Sequence, residues 1–72
     1  MKILNQDRAR IFSFSGDVWA TETPDGGHVV AEKVNGSPYI GTYKDIDRAS
    51  EVLKEIFQYY RDGKKSYTMP LE

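Results

Sequence analysis

The most constraining feature of the sequence is a single long amphipathic period near its C-terminal end. Ala49, Val52, Leu53, Ile56, Phe57 and Tyr60 recur at the spacing of one helical face. Glu51, Lys54, Glu55 and Gln58 fall on the other side. Asp45 stands where an N-cap carboxylate would accept from the free N–H groups of the first turn. Asp47 adds negative charge at the positive end of the helix dipole, and Arg61 sits in the last turn. Gly63 can take the left-handed position that ends a helix. The pattern predicts a helix over residues 46–61. With only one helix, the rest of the chain must bury its apolar side chains against that helix or against itself.

The remaining residues read as short strands separated by turns. Strands are predicted near 2–5, 10–14, 18–22, 28–34 and 38–43, from runs of alternating or β-branched residues. Ser15-Gly16-Asp17, Pro24-Asp25-Gly26-Gly27 and Asn35-Gly36 separate them with residues suited to tight turns. Pro38 suits the first position of a strand or a sheet edge, because it lacks an N–H. The tail, 64–72, is either loose or a short extra strand. Its last two residues, Leu71-Glu72, are compatible with a purification-tag join and carry no expected function. The expected architecture is α+β and a single domain over 1–72. In it, an antiparallel meander of four to five short strands carries the C-terminal helix on one face. A chain of 72 residues buries about 60% of its unfolded surface, enough for one thin core and little room for a catalytic cleft.

Composition narrows function mainly by exclusion. There is no cysteine, so disulfides, zinc–thiolate sites and thiol nucleophiles are ruled out. One histidine cannot build a multi-histidine metal site, and His28 reads as a strand residue near a hairpin end. No serine lies in a nucleophile motif. Gly36 to Thr42 has some of the glycine spacing of a phosphate loop but no lysine and no helix after it. No catalytic residue, cofactor or metal is therefore expected. No segment approaches the roughly 20 apolar residues of a membrane span, and the N-terminal residues lack a signal-peptide core. The expected location is cytoplasmic. Ten basic and eleven acidic residues give a net charge of −1, which offers no overall attraction for nucleic acid.

Three segments resemble small uncharacterised proteins of Gram-positive bacteria and their phages. They are Met1 to Asp7, Tyr43 to Leu53, and Gly63-Lys64 followed by Tyr67-Thr68-Met69-Pro70. Those proteins open with a short strand ending in Gln-Asp and carry a variable middle. They close with a tyrosine, a capped amphipathic helix and an apolar-Pro tail. The resemblance implies a phage-related or accessory role and carries no functional residue with it.

The aromatic content is high for so thin a core: three Phe, five Tyr and one Trp. Only one face of each strand can meet the helix, so some of these rings must lie on the outer face. Trp19, Tyr39, Tyr43 and Tyr67 are the candidate interaction surface. The leading reading is a non-enzymatic module that binds protein, including a second copy of itself, through the tail or the outer aromatic face. The alternative is a weak binder of single-stranded nucleic acid. It would use rings with basic neighbours, such as Phe12 beside Arg8 and Arg10, or Tyr67 beside Lys64 and Lys65.

Overall fold

The computed structural model describes residues 1–14, 16–33 and 36–72. The chain is α+β, with strands β1 (Lys2–Leu4), β2 (Ile11–Ser13), β3 (Val18–Thr23), β4 (Gly26–Ala31) and β5 (Tyr39–Tyr43), helix α1 (Ile46–Arg61), and β6 (Ser66–Thr68). The six strands fall into two three-stranded sheets rather than one meander. One has the order β2-β1-β6 and the other β3-β4-β5. The second is the antiparallel meander. In the first, β1 runs antiparallel to β2 but parallel to β6, which returns after the helix. The tail thus closes an edge within its own chain.

Helix α1 is closed at both ends by the groups its sequence supplies. Asp45 is extended, and its Oδ1 accepts from the Arg48 N–H at 2.9 Å. At the other end Gly63 adopts φ 72°. Its N–H donates to the Tyr60 carbonyl, and the Lys64 N–H reaches back to that of Tyr59. This is the Schellman pattern, and it satisfies carbonyls the helix would otherwise leave open.

The β3–β4 hairpin turns at Pro24-Asp25, with Thr23 paired to Gly26. β4 begins two residues earlier than its valine-rich run predicts, because Gly26 and Gly27 pair with Thr23 and Glu22. Gly27 has a second role. A Cβ there would collide with the backbone of Asp45 and Ile46, so the missing side chain lets the helix start lie directly on β4. Of the Asn35-Gly36 turn, Asn35 lies outside the described residues. Gly36 forms an isolated bridge to Lys33.

Between the two sheets and the helix sits one core. Ile3, Phe12 and Tyr67 form a buried row across the first sheet. They meet Val29, Ala31, Ile40 and Tyr43 from the second sheet, Ala49, Val52 and Ile56 from the helix, and Met69. Leu53 is half-buried, whereas Phe57 is 60% exposed, so the apolar stripe of α1 is wider than the face it buries.

Candidate interaction surface

The outer face of the β3-β4-β5 sheet is set by register. Trp19 pairs with Val30, and Val30 with Tyr39; Thr21 pairs with His28, and His28 with Thr42. The opposite face, Val18, Ala20, Val29 and Ala31, packs into the core. Trp19 and Tyr39 therefore flank Val30 in one row across three strands, about 10 Å from side to side. Trp19 is 38% exposed and Tyr39 49%, while Val30 between them is buried.

The structure separates the four candidate residues. Strict alternation along β5 would keep Tyr39 and Tyr43 on the same face. A register irregularity between Val29 and Val30 breaks it: Gly41 faces Val29 and Tyr39 faces Val30, leaving Ile40 as the extra residue. Ile40, Gly41 and Tyr43 are consequently all buried, and Tyr39 stays on the outer face. Tyr43 and Tyr67 are thus core residues, not surface residues.

Both buried tyrosines keep their hydroxyls bonded, as an amphipathic ring must. The Tyr43 hydroxyl donates to the Pro70 carbonyl at 2.9 Å, and that of Tyr67 to Glu55 Oε1 at 2.8 Å. Burial pushes the Tyr43 hydroxyl up to about 12. Burial raises that of Tyr67 further, and the Glu55 carboxylate adds to the shift.

His28 lies beneath Tyr39, its ring stacked at 4.2 Å between centroids and tilted by 13°. Nε2 sits 2.6 Å from Thr23 Oγ1 and Nδ1 3.0 Å from Thr42 Oγ1. A neutral imidazole satisfies both contacts, donating to one hydroxyl and accepting from the other. The ring is buried and both nitrogens are engaged, so it props up Tyr39 rather than offering a free base. Among the described residues no group of three or more His, Asp or Glu side chains is placed to hold a metal ion. Among the described residues no helix is long and apolar enough to cross a membrane.

Sequence reasoning missed Gln6. Its backbone N–H donates to the Ile40 carbonyl at 3.1 Å. Its side-chain amide then imitates a strand along the outer edge of β5. Oε1 accepts from the Thr42 N–H at 2.7 Å, and Nε2 donates to the Thr42 carbonyl at 2.9 Å. Nε2 also reaches the carbonyls of Leu71 and Pro70. Arg8, the one described non-glycine residue with positive φ, donates to the Met69 carbonyl at 2.7 Å. Arg48 donates twice to the Glu72 carbonyl oxygen. Residues 69–72 are thus held through their carbonyl oxygens by Gln6, Arg8, Tyr43 and Arg48, in addition to the buried Met69 side chain.

Arg10 and Lys33 lie 4.7 and 4.9 Å from the centre of the Phe12 ring and line a shallow concavity with Gly36, Ser37 and Pro38. Among the described residues no carboxylate lines it. Compared with protein-family models, with curated proteins and with solved structures, the chain matches none.

Proposed function

We propose that this chain is a small non-enzymatic protein-interaction module, working in the cytoplasm in a phage-related or accessory role. Its contact surface is the outer face of the β3-β4-β5 sheet around Trp19 and Tyr39. The observation that carries this reading is the uncovered Trp19–Val30–Tyr39 row: two large partly exposed rings with a buried aliphatic floor. Aromatic anchors of that kind are enriched where proteins meet. Tyr39 is also held from beneath by His28, which limits the rotamer freedom it would lose on binding. The resemblance of the chain ends to small Gram-positive and phage proteins supports the accessory role. A photo-crosslinking residue at position 39, in the native cells, tests the reading. A defined protein adduct that disappears on Trp19→Ala is expected; no adduct above background overturns it.

A second reading, binding of single-stranded nucleic acid, is favoured by one observation: Arg10 and Lys33 line the same concavity. The rings it needs argue against it. Phe12 and Tyr67 are both buried and cannot stack on bases. A salt titration against single-stranded DNA separates the readings, since binding through phosphates weakens steeply with salt.

A further inference from the structure

The four outer edges of the two sheets are finished in different ways. β2 and β6 have three residues each, a length that templates little further pairing. The edge of β5 is covered by Gln6. β3 carries none of these protections. It has six residues, no proline, a regular register with β4, and Glu22 as its only charge.

Its backbone groups can be placed from the hydrogen bonds at its start. The Glu32 N–H donates to the Asp17 carbonyl, and the Ala31 N–H turns the other way, to Pro38. Bonded and non-bonded pairs alternate along an antiparallel ladder. Val18, Ala20 and Glu22 therefore aim their N–H and C=O groups away from β4, and among the described residues none of these groups has a partner.

An apolar flank of the helix runs beside this edge. One flank of α1 faces β6 and the tail, through Glu55 and Tyr59 on Tyr67 and Arg48 on Glu72. By the helical period, Leu53, Phe57 and Tyr60 occupy the opposite flank. The β5 edge lies with Gln6 and the tail, so this second flank points towards β3, at the far side of the sheet. Tyr60 stacks on Phe14 there at 5.1 Å, yet it remains 54% exposed and Phe57 60%.

We infer that β3 pairs antiparallel with the β3 strand of a second copy of this chain, about a two-fold axis at Ala20. The helix flanks at Phe57 and Tyr60 close over the joint. The edge is self-complementary in that register. Ala20 meets the partner's Ala20, Val18 meets the partner's Glu22, and Glu22 the partner's Val18, so every outward N–H and C=O of the three residues is used. No like charges stand opposite one another. On the outer face Trp19 comes opposite the partner's Thr21. The β3-β4-β5 sheets of the two copies become one sheet of six strands. The inference rests on the strand edge, and it stands or falls apart from the reading of the Trp19–Tyr39 face.

The test uses the full chain, in a hundredfold dilution series followed by sedimentation and by amide hydrogen exchange. A dimer mass that falls to monomer on dilution is expected. Exchange at Val18, Ala20 and Glu22 should slow at least about tenfold in the dimer, because open edge amides exchange freely. A synthetic chain with N-methyl-Ala20 lacks one outward donor and leaves the β4 ladder intact. It should stay monomeric at every concentration while melting like the wild-type monomer. Phe57→Glu, at an exposed position, should weaken the dimer in the same way. A constant monomer mass, or a dimer in which those three amides exchange as in the monomer, overturns the inference.

Discussion

Gln6 does at the scale of one residue what a seventh strand would do. Its amide supplies a donor and an acceptor to the edge of β5 and a donor to the tail. Gln6→Ala should cost roughly 2–3 kcal/mol, from two or three lost hydrogen bonds at about 1 kcal/mol each. Gln6→Glu should cost more near neutral pH, since it aims a carboxylate oxygen at the carbonyls of Thr42 and Leu71. Its stability should recover as pH falls and the carboxyl regains a donor proton; denaturant titrations at two pH values check both. Gly27 is the other demanding position. Gly27→Ala brings its methyl onto the backbone of Asp45, which cannot yield without moving the helix start. A loss of about 3 kcal/mol is expected from overpacking against backbone, read by thermal melts against the wild-type chain. Neither role is legible in the sequence. A glutamine after a short strand and a second glycine in a turn have many ordinary explanations, and only tertiary contacts select among them.

Elements were far more legible than their partners. The helix was readable because all its signals are local: the 3.6-residue period, Asp45 before it and Gly63 after it. Asp45→Ala should lower stability by about 1 kcal/mol, which for a domain of this size is roughly 4–8 °C in melting temperature. The strands were likewise visible from turns and alternation. The pairing of β1 with β6 was not, because it joins residues more than sixty positions apart with no local mark. The irregularity in β5 also defeated the pattern. Alternation assigns Tyr43 to the face of Tyr39, and one extra residue, Ile40, sends Tyr43 into the core. The exposure of Trp19 and Tyr39 was readable, and the burial of Tyr43 and Tyr67 was not. Glu55 shows the same limit, since the helical period gives it only to solvent, yet it accepts from Tyr67.

At the scale of the whole molecule, the tyrosine hydroxyls tie late parts of the chain to the core. Tyr67 bonds β6 to the helix, and Tyr43 bonds β5 to the tail. Both hydroxyls hold their protons more tightly in the folded chain than an ordinary tyrosine does, near 10. The folded state therefore binds more protons than the unfolded state once pH exceeds 10. Stability from these groups should be fully present below pH 10 and should decline as pH rises through about 12, where Tyr43 titrates when folded. Unfolding followed by circular dichroism from pH 8 upward should show a cooperative alkaline transition. Tyr67→Phe keeps the buried ring and removes one titrating group. It should lose about 1 kcal/mol at neutral pH from the missing Glu55 bond, yet show a shallower fall in stability above pH 10. An alkaline slope identical to that of the wild-type chain would mean that Tyr67 titrates as an exposed phenol and that β6 is not docked on the helix.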